Sequence, residues 1–232
     1  MIIGFCGIAG SGKGTLSDMF VEHFNFKKMS FADPLKDATS VLFGWDRKLL
    51  EGDTRESREF REEVDEFWTS KLPFTVRPRK ILQMMGDEVG RQIFSSEFWI
   101  HCLEKRLDNE TEKNITIADV RYPNEIEFIK RKGGIVVRVI GKDIPRWYDE
   151  AYRDNTSTNF HPNRTHGEMA RKYPDVHYSE WAHVGHSFHV EVLNDGTLFD
   201  LKNKADRLLQ FAKGYVTVKE HLNMLDRIKN FK

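Results

Sequence analysis

The stretch that most constrains this chain is GFCGIAGSGKGTLSDMF, residues 4–20. The apolar run Met1–Cys6 reads as a short buried strand. It runs into a turn with glycines at 7, 10, 12 and 14 around one lysine, Lys13. Leu16, Met19, Phe20 and His23 then recur at helical spacing, from about Gly14 to Phe24. A strand that passes through glycines into a helix start is suited to holding an anion. Glycine takes the backbone angles that turn successive N–H groups inward. The helix N-terminus adds unpaired donors and a partial positive charge. Gly10, Ser11, Gly12, Lys13, Gly14 and Thr15 thus form a phosphate-binding loop, with Lys13 reaching the outer phosphates of a nucleoside triphosphate and Thr15 beside its magnesium ion.

The remaining pattern alternates strands and helices. A short strand is expected near Lys28, then a helix from Pro34 capped by Asp33. Residues 47–70 are charge-rich and predict an exposed helical excursion. Two more helices follow, Arg79 to Gln92 and Ser96 to Leu107. NITIAD, GIVVRVI and HVEVLN read as strands, with helices over Glu125–Lys132 and Thr197–Lys213 and a polar, partly helical tail. The alternation predicts an α/β fold with a mostly parallel sheet and helices on both faces. At 232 residues this is expected to be a single domain, with residues 45–100 as its helical acceptor-binding region. Thirty-six basic and 36 acidic residues balance to a net charge of zero, which argues against a nucleic-acid coat. Two cysteines give no disulfide framework, and no apolar run is long enough to cross a membrane. The expected location is cytoplasmic.

A second group of candidate residues lies in ITIADVRYPNE, residues 115–125. Asp119 ends a buried strand, where a phosphate-loop protein places a magnesium-orienting carboxylate. Arg121 follows at the carboxyl edge of the sheet, where ligands of α/β folds bind. Its guanidinium can grip two phosphate oxygens at once. An Asp–Arg salt bridge at a strand end is the plainer alternative. Residues 141–180 are polar and carry Arg146, Arg153, Arg164 and Arg171 between prolines, as either a mobile lid or a solvated insertion. Six of nine histidines fall between His161 and His189. Three-residue spacing of His183, His186 and His189 keeps no strand face, and no cysteine joins them, so a zinc site is disfavoured. The run RESREFREEVDEF reads as a solvated helix face, with Arg55 or Arg58 within reach of an acceptor phosphate as the sharper alternative. Phe60, Phe67 and Trp68 read as packing residues.

Taken in order, GIAGSGKGT, FADPLKDA, ILQMMGDEVGRQIFSSEFWI, IADVRYPNEIEFIKRKGGIVVRVI, HYSE and NDGTL resemble the bacteriophage deoxynucleoside monophosphate kinases over about two thirds of the chain. The strict phosphate-loop motif has Ser or Thr directly after lysine. Gly14 stands there instead, a GKGT variant that nucleoside monophosphate kinases share. The resemblance implies a P-loop kinase fold and transfer of the γ-phosphoryl of ATP, with Mg2+, to a deoxynucleoside monophosphate. It implies that Arg79, Gln83, Gly86, Asp87, Trp99, Arg121 and Glu125 bind the acceptor. Lys13, Arg91, Asp119 and Arg121 would carry catalysis, with Thr15 and Asp119 holding the metal. Asn194 and Asp195 would contact the donor adenine, and a homodimer is suggested. Two other readings stay open. Another small-acceptor kinase, of dephospho-coenzyme A or sugar-acid type, would use a carboxylate base such as Asp33. A nucleotide-driven switch would need no acceptor site.

Overall fold

The computed structural model describes residues 1–157 and 167–229. It divides into two compact units, one of residues 1–28 with 112–232, the other of residues 29–111.

The first unit is built on a sheet in the order β2-β3-β1-β4-β5. These strands are β1 Ile2–Cys6, β2 Lys27–Met29, β3 Ile115–Val120, β4 Ile135–Gly141 and β5 Val190–Asn194. β1 runs parallel to β3 and β4, and β4 parallel to β5. Alternation along β1 sends its residues to opposite faces. Ile3 and Phe5 enter a core with Leu16, Met19 and Phe20 of α1 (Lys13–Phe24) and Leu201, Ala205, Leu208 and Leu209 of α10 (Leu198–Lys229). Each such large side chain taken out of water contributes about 1.5–3 kcal/mol. Gly4 points the other way, and a Cβ there would meet Ile129 Cδ1 at 2.4 Å. Ile129 belongs to α7 (Pro123–Arg131), so helices cover both faces, as the alternation predicts. Ser17 of α1 and Thr116 of β3 share a buried hydroxyl pair at 2.9 Å. His23, expected on the inner stripe, is exposed. The helix turns it out and packs Phe24 against the core instead.

Residues 141–180 hold more structure than their polarity announces. α8 (Tyr148–Thr156), α9 (Glu168–Lys172) and a 3-10 turn, Tyr178–Glu180, enclose a small core of Ala151, Met169, Trp181 and Val184. Asn155 Nδ2 donates to the carbonyls of Trp181 and Val184, at 3.0 and 2.9 Å.

The second unit is helical: α2 (Asp33–Phe43), α3 (Arg55–Glu62), α4 (Glu66–Thr69), α5 (Pro78–Met84) and α6 (Phe98–Asp108). Leu35, Trp45, Leu50, Val76, Ile81, Leu82 and Trp99 form its core, with Phe60 and Trp68 packed against it. Phe67, by contrast, is exposed. Asp33 is not the cap of α2. Ala32 holds that position, while Asp33 lies in the first turn and its carboxylate pairs with Arg47 at 3.1 Å. The helix expected over Arg79–Gln92 changes character midway. After Met84 it widens into a π-helical stretch, Met85–Phe94, closed by Ser95 N–H donating to the Gly90 carbonyl five residues back.

Candidate active site

In the first unit, α1 is capped by Gly12, whose φ of +91° no L side chain adopts comfortably. The first turn of α1 holds no acidic residue that would compete for its free N–H groups. Cβ atoms built on Gly10 and Gly14 would meet nothing within 4 Å, so the loop is open there. Gly12 is crowded: a Cβ would lie 2.2 Å from Asn194 Nδ2. That amide donates to the Ser11 carbonyl at 3.0 Å. Asn194, at the end of β5, is therefore a brace on the loop, a role its position in the sequence does not reveal. Asp195 next to it is exposed and paired with Lys204 at 3.0 Å.

Lys13 Nζ donates to the Ile8 carbonyl at 3.1 Å, inside the loop. Burial, then the positive charge of Arg121, pushes the Lys13 ammonium down to about 8, against the pull of the Glu180 and Asp119 carboxylates. Those opposing charges place Asp119 and Arg121 in the electrostatic surroundings of the loop lysine, where the sequence expects them. Burial holds the Cys6 thiol up at about 12, so it stays protonated and inert. Asp119 is half-buried near the end of β3. Between the pairs Gly4–Ile117 and Cys6–Val120, β3 gains one residue over β1. This bulge at Ala118–Asp119 sets the direction of the carboxylate.

Two further contacts define Arg121. Its backbone N–H and that of Tyr122 both donate to Glu125 Oε2, at 2.7 and 3.0 Å. Glu125 is almost fully buried and closes the N-terminus of α7. The carboxylate oxygen that takes both bonds thus fixes the chain that presents Arg121. At the other end, Arg121 Nη1 donates to Glu180 Oε1 at 2.9 Å and to Ser179 Oγ at 3.4 Å. Burial works against the charged guanidinium, but Glu180 more than offsets it and holds Arg121 firmly protonated. His183, 2% exposed, has no partner for Nδ1 among the described residues. Burial first, then Lys13, Arg138 and Arg121, pushes it down to about 3, so it is a neutral imidazole beside a cationic cluster. Glu180 carries one sequence signal, the HYSE segment, which by itself names no partner; His183 stands in the sequence only as a member of the histidine cluster.

The second unit carries Arg79, Gln83, Gly86, Asp87, Arg91 and Trp99 on α5, the π-helical stretch and α6. Trp99 is 7% exposed, and its indole N–H donates to the Gly86 carbonyl at 2.7 Å. A Cβ on Gly90 would stand 2.3 Å from Trp99 Nε1. The two glycines and the tryptophan are one packing device: Gly90 admits the ring, and the ring engages the Gly86 carbonyl within the widened helix. Gln83 and Asp87 are half-buried beside it. Arg91 Nη1 donates to the Ser96 carbonyl at 3.0 Å, and Arg79 Nε to Glu62. Arg55 pairs with Glu59 and Arg58 with the Asp53 carbonyl, consistent with a solvated helix face.

Arg171 is held by Glu168 on its own helix, and Arg153 lies 3.7 Å from Glu150. Arg164, with His161 and His166, lies outside the described residues. His189 accepts the Val136 N–H through Nδ1 at 2.9 Å and meets Tyr215 OH at 3.1 Å. Among the described residues no group of three His, Cys, Asp or Glu side chains could hold a metal ion. No described helix is long and apolar enough to cross a membrane.

A parallel sheet whose first strand delivers a glycine loop and lysine to a helix start defines a phosphate-loop α/β protein. Comparison with known proteins narrows this class. The model of the family described as deoxynucleotide monophosphate kinase matches residues 50–159. A protein of Acanthamoeba polyphaga mimivirus, provisionally named a deoxynucleotide monophosphate kinase, is 31% identical over 60% of this chain and 73% of its own. The deoxynucleoside-5′-monophosphate kinase of Escherichia phage T5 is 24% identical over 56% of this chain and 72% of its own. Among solved structures, shikimate kinase from Aquifex aeolicus aligns over 90% of this chain and 96% of its own, at 13% identity and a TM-score of 0.41. The chain belongs to the deoxynucleotide monophosphate kinase family.

Proposed function

We propose that the protein transfers the γ-phosphoryl group of ATP to a deoxynucleoside 5′-monophosphate, giving ADP and the diphosphate. The observation that carries this reading is the cationic cluster of the first unit: Lys13 in an open glycine loop, with Arg121 and Asp119 acting on its charge. An acceptor that is itself a phosphate is an ionised nucleophile near neutral pH, so no general base is required. Catalysis then reduces to aligning two polyanions and neutralising the charge shared among their oxygens. Lys13 and the loop N–H groups of Gly10, Ser11, Gly12 and Gly14 hold the donor phosphates. Arg121 neutralises the group in transfer, and the family resemblance gives Arg91 a charge-neutralising role as well. Residues 45–100 are the acceptor-binding region of one kinase domain, with Arg79, Gln83, Gly86 and Asp87 recognising the monophosphate. Trp99 and Glu125 serve them by fixing the Gly86 turn and the Arg121 backbone.

Thr15, exposed at the first turn of α1, and Asp119, half-buried at the strand end, suit a magnesium ion, which takes few protein ligands and completes its shell with phosphate and water. Bound there, the ion supplies further charge neutralisation. Asn194 and Asp195 lie at the end of β5 and flank the donor, Asn194 through the loop it braces. Asp33, the base a hydroxyl acceptor would want, is engaged by Arg47. That pairing gives the sugar-acid alternative little support. The test is ADP production from Mg-ATP with dGMP, dTMP, dCMP and dAMP, their ribose forms, dephospho-coenzyme A and gluconate. Turnover with one or more deoxynucleotides is expected. ATP binding without acceptor-dependent ADP would overturn the reading.

A further inference from the structure

Resting on the reading of Arg121 as a phosphate-gripping residue, we propose that Glu180 is a positioning residue for this reaction: a rigid carboxylate post that clamps one corner of the Arg121 guanidinium and turns its other edge toward phosphate. The geometry has three parts. First, both contacts converge on one nitrogen. Nη1 donates to Glu180 Oε1 at 2.9 Å and, more weakly, to Ser179 Oγ at 3.4 Å. A guanidinium has five N–H groups in a planar fork; among the described residues the side-chain bonds of Arg121 are both at Nη1, so the edge formed by Nε and Nη2 keeps the paired donors that match two phosphate oxygens.

Second, the post is anchored. Glu180 closes a 3-10 turn whose next residue, Trp181, is 6% exposed and packed with Ala151, Met169 and Val184. Asn155 Nδ2 ties the Trp181 and Val184 carbonyls together. At the start of the turn, the Tyr178 ring stands edge-on to Trp181 at 4.7 Å and lies 5.6 Å from Tyr122. A carboxylate on so well packed a backbone is a fixed support, not a plug that swings away when phosphate arrives.

Third, Arg121 is fixed at its other end as well, where its backbone N–H is held by buried Glu125. With both ends secured, the long side chain has surrendered most of its rotamer freedom before any ligand binds. That is the condition under which a phosphate contact costs least to form. The 141–180 region thereby acquires a role that needs no moving arginines: it supplies a wall that sets the aim of an arginine on the sheet edge.

The test is steady-state kinetics, varying dNMP, on wild type, Glu180→Ala, Glu180→Gln, Arg121→Ala and the Arg121→Ala/Glu180→Ala pair, with melting curves for each. Turnover in wild type and its loss in Arg121→Ala report on the underlying reading; the Glu180 variants report on this one. Glu180→Ala is expected to raise the acceptor KM and lower kcat, each on the order of tenfold, the scale of a misplaced catalytic group. Glu180→Gln keeps an oxygen for Nη1 and should restore both to within about threefold of wild type. In the Arg121→Ala background, Glu180→Ala should cost nothing further, because its effect passes through the guanidinium. A lower acceptor KM in either Glu180 variant would identify a competing plug instead. An unimpaired Glu180→Ala, a Gln variant as impaired as the Ala variant, or an undiminished effect without Arg121 would equally overturn the proposal. Should Glu180→Ala melt far below wild type, the Gln variant and its KM decide.

Discussion

Gly12→Ala tests the brace between the loop and β5. At φ +91° the backbone of Gly12 lies beyond the small left-handed region open to L residues. Alanine there costs about 1–2 kcal/mol in backbone strain. Its Cβ would also sit 2.2 Å from Asn194 Nδ2, more than 1 Å inside ordinary contact by order of magnitude. The amide must leave the Ser11 carbonyl it bonds at 3.0 Å, losing a further ~0.5–1.5 kcal/mol. The sum, about 1.5–3.5 kcal/mol, corresponds to a Tm lower by roughly 3–14 °C for a chain of this size. Asn194→Ala alone loses only the hydrogen bond, about 1 kcal/mol, and melts ~2–4 °C lower. The decisive member is the double variant. Gly12→Ala already displaces the amide, so adding Asn194→Ala should lower Tm no further, a coupling of about 1 kcal/mol. Thermal melts of the four proteins at one pH suffice. Equal cost of Asn194→Ala in both backgrounds would refute the brace.

Three other outcomes follow from named contacts. Lys13→Ala should cut kcat on the order of 10²–10³-fold, the scale of a lost charge-stabilising donor. Its Tm should not fall, since burial already disfavours the ammonium; near-normal turnover would count against the mechanism. His183 has a folded-state value of about 3, below the ordinary 6.5, so between those values the unfolded chain takes up a proton that the folded one refuses. Stability should therefore fall as pH drops through 6.5, by ~2 kcal/mol at pH 5 from this group, at about 1.4 kcal/mol per unit. His183→Leu, whose wild-type Nδ1 has no bond to lose among the described residues, should flatten the denaturation curve against pH by that amount; parallel curves would sink the idea. Gly90→Ala drives a Cβ to 2.3 Å from Trp99 Nε1 and must break the Trp99–Gly86 bond. The cost should be about 2–4 kcal/mol, with a raised dNMP KM and an unchanged ATP KM; an unchanged dNMP KM would remove this turn from the acceptor site.

What was legible in the sequence was the part governed by neighbours in the chain. The strand, glycine turn and helix of residues 2–24 are set by local periodicity and by backbone freedom at a few positions, and they occur where the spacing puts them. The alternating strands and helices that follow were legible for the same reason. Where local signals competed, the reading slipped. Asp33 and Ala32 both stand before Pro34, and tertiary pairing with Arg47, 14 residues on, drew Asp33 into the first turn instead of leaving it as the cap. His23 satisfies the helical spacing, but Phe24 offers more apolar surface to the core and takes the place against it.

The rest was illegible because its partners are distant in sequence. Asn194 reaches back 183 residues to the Ser11 carbonyl, and Glu180 reaches 59 residues to Arg121. Nothing around either residue announces such a bond. The π-helical stretch has the same origin. The apolar pattern of residues 79–92 fits an ordinary helix, and the indole that engages the Gly86 carbonyl belongs to Trp99, 13 residues beyond it. These three contacts share a logic. In each, a residue on an ordinary element fixes a backbone carbonyl or a charged tip of the segment assigned to chemistry. The residues proposed for chemistry advertise themselves through glycines, lysine and arginine at motif spacing. The residues that aim them carry no motif, because any element that brings an amide, a carboxylate or an indole to the right point will serve. Supports of this kind are read only from the fold, and here they fall on the loop, on Arg121 and on the Gly86 turn, three segments of the proposed site.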